Sequence, residues 1–354
     1  MAKYHIAVTG LNAADNPCPG ISVIRSLKAG AGDDVRIIGL TYEMLCSASY
    51  DKSLMDEVYH VPFPQDEEEK YLSRMEEILK KTRIDVLIPN LDFEIPILSK
   101  LEPDLRDLGL KLLIPSESAL GQCGKENLPQ LAQSTEIPVP YSLVFKDRRQ
   151  ITTTASYFTY PLVVKAAHGE ANLVYSLEEA IVFSNRLSSL WGWPLIMQQY
   201  IHGDEYCVAS LADRRQMIIG SVCMKKIRKS KNGTAWMGGT AKDDTLMEFT
   251  QKIIDQLKWV GPLEIEFIKE QNSNRYYLVE INPRFPAWIE LAAKAGCNLP
   301  MASVKVALRE KAAPFYDYKT GILFARSAMD IICDISCLGQ LATKKELIYH
   351  EDKK

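Results

Sequence analysis

Apolar residues in the N-terminal third of the chain come in short bursts separated by stretches of helical spacing. His5–Gly10 reads as a buried strand, Ile21–Ala29 as a helix, Val35–Tyr42 as a second strand and Glu57–Val61 as a short third one. Leu72, Met75, Ile78 and Leu79 recur at the helical period, so Glu67–Lys81 is predicted to be an amphipathic helix. Asp85–Pro89 and Lys111–Pro115 are short apolar strands on either side of a further helix. Strands alternating with helices in this way predict a parallel, doubly wound α/β sheet.

From Ser116 the pattern changes to short strands with single helices between them, an α+β arrangement. A helix near Lys125–Gln133 ends at the IPVP segment. Strand-like runs follow at Pro161–Ala166, Pro194–Ile201, Tyr206–Ala212 and Met217–Met224. A long helix, Thr245–Trp259, leads into two strands, Leu263–Lys269 and Tyr276–Ile281, joined by the polar turn EQNSN. Helices are predicted at Trp288–Ala295 and Met301–Arg309, then a strand-like GILFARSA and a lysine-rich end that should fray. These shifts divide the chain into residues 1–115, 116–310 and a C-terminal extension, 311–354.

Composition narrows the functional classes. The 354 residues are 47% hydrophobic and 25% charged, an ordinary globular balance with enough length for two or three domains. A formal net charge of −3 gives no general reason to expect nucleic acid or a membrane surface as partner. No apolar run is long enough for a membrane span and MAKYHIAVTG lacks a signal-peptide pattern, so a cytoplasmic location is expected. The eight cysteines show no CxxC pair and no zinc spacing, and Cys333 and Cys337, four apart, are expected in a core.

The chemistry concentrates in GPLEIEFIKE and YYLVEINPRF. Alternation along a strand puts Leu263, Ile265 and Phe267 on one face and Glu264, Glu266 and Ile268 on the other. In the next strand it groups Leu278, Glu280 and Asn282 against Val279 and Ile281. A hairpin would let Glu266 and Glu280 converge beside Asn282, an oxygen-rich set that suits Mg2+. Arg284 lies just beyond and could offset phosphoryl charge; the alternative is a solvated hairpin. Asn and Pro are poor strand residues, so E-I-N-P-R after an apolar run points to a site. Lys165 is a lone cation in an apolar strand, costly to bury without an anionic partner. Lys225, Lys226, Arg228, Lys229 and Lys231 form the densest positive cluster, either a solvated turn or a nucleic-acid patch. His168 is a loop residue or a phosphate contact.

The E-I-N-P-R-F segment resembles the metal-binding signature of the ATP-grasp superfamily, in particular the branch of the carbamoyl-phosphate synthase large subunit. The resemblance extends over roughly residues 1–310 and implies a doubly wound N-terminal domain followed by a two-subdomain ATP-grasp fold, its lid at about 116–200. GKENLPQLAQSTEIPVP is similar to the segment that opens the lid, and YPLVVKAAHGE to the strand carrying a second phosphate-binding lysine. These imply Lys125 and Lys165 as phosphate contacts. PLIMQQYIHGDEYCV resembles the adenine hinge, implying Gln199, the backbone of Tyr200 and Ile201 at adenine, and Glu205 at the ribose. Glu266, Glu280 and Asn282 fall on the family's Mg2+ ligands and Arg284 on its catalytic arginine; Lys226 or Arg228 would face phosphate or a substrate carboxylate.

The implied activity is an ATP-dependent ligase joining a small-molecule carboxylate to an amine, peptide or thiol through an acyl phosphate, with ATP and Mg2+ as cofactors. The resemblance leaves room for a homodimer. A catalytically weak ATP-binding regulator or scaffold is the alternative. A single ATP-grasp unit argues against carbamoyl-phosphate synthesis, and an atypical lid without a biotin attachment sequence against a biotin carboxylase. The lid loop has one glycine where the family has several, and Pro286, Ala287 and Trp288 stand where glycines commonly follow. The N-terminal TGLNAADNPCPG fits no nucleotide fingerprint, so the family pattern implies that its domain helps bind the other substrate.

Overall fold

The computed structural model describes residues 2–12, 17–167, 169–230 and 233–349. The N-terminal apolar bursts pair as β1 (Tyr4–Val8), β2 (Val35–Thr41), β3 (Glu57–His60) and β4 (Val86–Ile88). All four run parallel in the order β3-β2-β1-β4, and the strand Glu346–Ile348 adds antiparallel to β3. Successive β1 residues point to opposite faces. Ile6 and Val8 pack with Val23, Ile24 and Leu27 of the helix Gly20–Ala31, while Ala7 packs with Tyr71, Met75 and Ile78 of the helix Glu68–Lys81. Fully burying each such side chain contributes about 1.5–3 kcal/mol. The strand order reverses between β1 and β4, which makes the carboxyl ends of these two strands a crevice where open α/β sheets bind ligands.

Two antiparallel sheets follow. β5 (Ser142–Phe145), β6 (Leu162–Ala166), β7 (Ala171–Val174) and β8 (Leu195–Gln199) form a four-stranded sheet in the order β5-β8-β6-β7. Leu162, Val164, Leu195 and Met197 cover one face against the helices Ile151–Ala155 and Leu177–Trp191. β9 (Gly203–Ala212), β10 (Ile218–Lys229), β11 (Ala235–Ala241), β12 (Gly261–Glu270) and β13 (Tyr276–Asn282) form the larger sheet, in the order β13-β12-β9-β10-β11, with the strand Leu323–Ala325 at its edge. Leu263, Ile265 and Phe267 bury one face of β12 against Leu246, Ile253, Ile254 and Leu257 of the helix Asp244–Leu257. Asp243 caps that helix by accepting from the Leu246 amide at 3.2 Å, worth about 1 kcal/mol.

The structure corrects several expectations. Leu278 does not share a face with Glu280 and Asn282. A bulge places Phe267 opposite Leu278 but Glu266 opposite Glu280, so Val279 is the extra residue. Leu278 and Ile281 therefore both enter the core, and the acids keep the other face. Lys111–Pro115 contributes only an isolated parallel bridge between Lys111 and Val86. The helix near Lys125–Gln133 is preceded by a separate helix, Glu117–Cys123, and opens as a single tight turn, Lys125–Asn127, before continuing as Leu128–Thr135. Cys333 is exposed and Cys337 half-buried, not core residues. The lysine-rich end does not fray as far as it is described, because Glu346–Ile348 pairs with β3; residues 350–354 lie outside the described residues. Among the described residues, no helix is long and apolar enough to cross a membrane.

At the β1/β4 crevice, Glu94 is fully buried. Its carboxylate accepts from Thr9 Oγ1 at 2.5 Å, from the Asn90 and Leu91 amides at 2.8 and 3.0 Å, and from the Tyr42 hydroxyl. Burial outweighs these bonds and pushes the carboxyl up to about 7 from 4.5. The native state then keeps a proton that the unfolded chain has lost, so this contribution to stability is full below about 4.5 and fades as the pH rises through about 7. Melting temperature measured from about pH 5 to about pH 8 should fall in wild type relative to Glu94→Gln. Parallel curves would show that Glu94 does not titrate in this range.

Candidate active site at the acid–lysine cluster

Strand pairing alone brings the acids together. Cys207 of β9, Glu266 of β12 and Glu280 of β13 lie opposite one another across three adjacent strands. One step along, Ala209, Glu264 and Asn282 form a second such row. The core helix occupies the opposite face, so these side chains share the other one, where Cys207 and Ala209 are buried in the cluster that includes Phe285 and Trp288. Cys207, Glu264 and Glu266 bring ligand atoms within 4.8 Å of one another. The Asn282 amide nitrogen donates to Glu264 Oε2 at 3.3 Å, and the Trp288 indole donates to Glu264 Oε1 at 2.7 Å. Burial first, then the neighbouring Glu266, pushes the Glu264 carboxyl up to about 7, against the pull of Arg284.

Four cations meet these acids, each from a different part of the chain. Lys125, in the tight turn before the helix Leu128–Thr135, lies 3.0 Å from Glu280 Oε1 and donates to the Gly169 carbonyl at 3.4 Å. Lys165 projects from β6 on the face opposite the apolar core formed by Leu162, Val164 and Ala166. It is only 5% exposed, and it donates to a neutral partner, Gln198 Oε1, at 3.1 Å. Burial and the nearby Lys125 lower it to about 8, partly offset by Glu280 and Glu266. Glu280 moves the other way. Burial opposes its charge, but Lys125, Lys165 and Arg284 outweigh burial and hold it below the usual glutamate value.

Lys226 of β10 bridges two acids, at 2.6 Å from Glu266 Oε2 and 3.2 Å from Glu205 Oε2. Burial opposes its charge, yet Cys207, Glu266 and Glu205 together hold Lys226 well above the usual lysine value. Glu205 also pairs with Lys229. Burial works against the Glu205 charge, but these two lysines overcome it and lower the carboxyl. Arg284 sits just past β13. Its Nε and Nη2 each lie 3.0 Å from Asp92, and its Nη1 is 3.5 Å from Glu264 Oε2.

The structure thus gathers Lys125, Lys165, Glu205, Lys226, Glu266, Glu280, Asn282 and Arg284 in one cluster. Arg228 is exposed on β10 and makes no side-chain bond or ion pair among the described residues. The strand alternation separates two adjacent glutamines of β8: Gln198 is buried against Lys165, while Gln199 is exposed and accepts from the Tyr141 amide at 3.4 Å. Tyr200 and Ile201 follow β8 directly, with Ile201 buried. The glycine after them is required by close approach, since a Cβ on Gly203 would meet the Lys269 carbonyl oxygen at 2.0 Å. His168 and Lys231 lie outside the described residues.

Three residues escape the sequence reading. Gln198 is hidden by its neighbour Gln199. Asp92 carries a usable signal, an acid just after a parallel strand at the switch point. Arg326 comes from the C-terminal extension, just after Leu323–Ala325. Its Nε donates to the Ala235 carbonyl at 2.9 Å and it forms no ion pair among the described residues. Burial lowers it, with Glu264 the opposing influence.

Comparison with known proteins bears on the fold that carries this cluster. Residues 193–326 match the family model described as ATP-grasp in the biosynthetic pathway with Ter operon. Among solved structures, biotin carboxylase from Campylobacter jejuni superposes with a TM-score of 0.68 at 17% identity, over 88% of this chain and 72% of that one. N5-carboxyaminoimidazole ribonucleotide synthetase from Thermus thermophilus gives 0.66 at 16%, over 87% and 79%. L-amino acid ligase from Bacillus licheniformis gives 0.63 at 17%, over 89% and 78%. At these identities the likeness carries the fold, and the matched family model spans β8, both acid strands and Arg326. The chain therefore has the fold of these ATP-grasp enzymes, and its residues 193–326 match an ATP-grasp family model.

Proposed function

We propose that the protein is an ATP-dependent ligase that activates a small-molecule carboxylate as an acyl phosphate and transfers the acyl group to an amine. The observation that carries this reading is Glu266 opposite Glu280 in the sheet, faced by two lysines, one of them buried with a neutral partner. A buried cation of this kind gains most from a polyanion brought beside it. At neutral pH Lys165, lowered to about 8, is still mainly charged, and phosphate would raise it further.

The donor set fits a hard divalent cation. Glu266 and Glu280 offer carboxylate oxygens, and Asn282, whose amide nitrogen is used on Glu264, retains its carbonyl oxygen. Mg2+ held by these residues would offset charge on the phosphates. Lys125 and Lys165 orient the triphosphate, and Glu205 with the Tyr200–Ile201 backbone holds the nucleoside. A carboxylate oxygen of the substrate attacks the γ-phosphorus, and ADP departs with the bond pair. The amine nitrogen then attacks the acyl carbon, phosphate leaves and the nitrogen gives up its proton. Arg284 stabilises charge on the moving phosphoryl group, so the protein contributes position and charge balance rather than covalent chemistry. Arg326, a half-buried cation with no anionic partner among the described residues, suits an anionic group of the substrate.

Lys165→Ala should leave the fold intact and weaken ATP binding roughly tenfold or more, measured by calorimetry, because a charge-assisted bond is lost. Unchanged affinity would make Lys165 a structural residue. Substrates can be found by screening amino acids and short peptides for ADP release, with mass spectrometry of the products. Glu280→Gln is then expected to cut turnover by roughly 100-fold in a folded protein. Equal, substrate-independent ATP hydrolysis in wild type and variant would remove the ligase reading in favour of a weak ATP-binding scaffold.

A further inference from the structure

Among the described residues, Arg284 is the one cation of the cluster whose two-point partner comes from the N-terminal sheet. Asp92 lies 192 positions earlier in the chain and meets it through two parallel contacts, Nε to Oδ1 and Nη2 to Oδ2, each 3.0 Å. Such a fork fixes the plane of a guanidinium as well as its position. The third donor nitrogen, Nη1, is left 3.5 Å from Glu264 and 3.4 Å from the Phe285 carbonyl. Glu264 is already occupied by Trp288 and Asn282.

The turn that presents Asp92 is held from several sides. Glu94 accepts from the amides of Asn90 and Leu91 and from Thr9 and Tyr42. Asn90, fully buried, donates its side-chain nitrogen to the carbonyls of Thr9 and Ile88 at 3.2 and 2.9 Å. Phe93 packs edge-on against Tyr42. Asp92 itself remains 53% exposed in its side chain, so neither burial nor packing accounts for an acid there.

We propose that Asp92 is a positioning residue, which holds the Arg284 guanidinium in the plane needed to meet the transferring phosphoryl group. The inference rests on the ligase reading for Arg284. In this arrangement the N-terminal sheet supplies part of the catalytic geometry, through a turn braced by Glu94 and Asn90. Without Asp92 the nearest carboxylate to Arg284 is Glu264, and the guanidinium would turn toward it.

The test compares binding of MgADP alone with binding of MgADP plus aluminium fluoride, a mimic of the phosphoryl group in flight, using full-length protein. Asp92→Asn should change MgADP affinity by no more than about twofold and weaken the fluoride complex by about tenfold or more, with partial recovery in Asp92→Glu. Equal weakening of both complexes, or no effect on either, would make Asp92 only a structural brace and overturn the proposal. A wild type that binds no MgADP would remove the ligase reading instead. The pairing is then decided by melting temperatures of Asp92→Asn, Arg284→Gln and the double variant. Coupled residues give a double variant no less stable than the worse single one; additive losses would show that Asp92 does not hold Arg284.

Discussion

Glu266 and Glu280 lie directly opposite each other on adjacent strands, and two carboxylates brought that close on a partly buried face must be balanced by positive charge. Much of the site answers that constraint. Lys226 takes Glu266, Lys125 takes Glu280, and Lys165 stands near both with no acid in direct contact among the described residues. Arg284 is kept close by a separate acid, Asp92. A cluster with this many paired charges is a poor way to stabilise a fold, because desolvation offsets most of the Coulomb gain. It makes sense as a surface prepared for a ligand that carries its own negative charges and brings a cation with it.

Each sheet supplies one part of that surface. The six-stranded sheet carries the acids, because its other face is committed to the helix Asp244–Leu257. The four-stranded sheet carries Lys165, because its apolar face is committed to the helices Ile151–Ala155 and Leu177–Trp191. The N-terminal sheet offers Asp92 from the carboxyl end of β4, where the strand order reverses. The C-terminal extension closes the circuit twice, pairing Leu323–Ala325 with β11 and Glu346–Ile348 with β3. Arg326 reaches the site by the first of these returns.

Much of this is legible in the sequence wherever a residue violates the local pattern. A lysine in VVKA and the Asn-Pro-Arg run after VEI are costly in their settings, so they advertise a partner. The parallel first sheet is legible because helical and strand periods alternate cleanly. Other features leave no local trace. The bulge at Val279 is invisible in YYLVEIN, where either phase of alternation puts an apolar residue in the core. β11 reads AWMGGTA, too small and too glycine-rich to show a period. The Asp92–Arg284 and Lys125–Glu280 pairs join residues far apart in the chain, which only the fold brings together. Lys226 and Arg228 are indistinguishable by composition, and strand pairing alone buries one and exposes the other.

The central claim is that this acid–lysine cluster is built for a nucleotide triphosphate and its divalent cation. A ligand that binds only the native state raises the melting temperature, by about 2.7 kcal/mol of stability at roughly 100 times its dissociation constant. Thermal unfolding with increasing ATP, in the presence and absence of Mg2+, tests this most directly. The account predicts an upward shift that grows with ATP and is larger with Mg2+. No shift with about millimolar ATP and Mg2+ would contradict it.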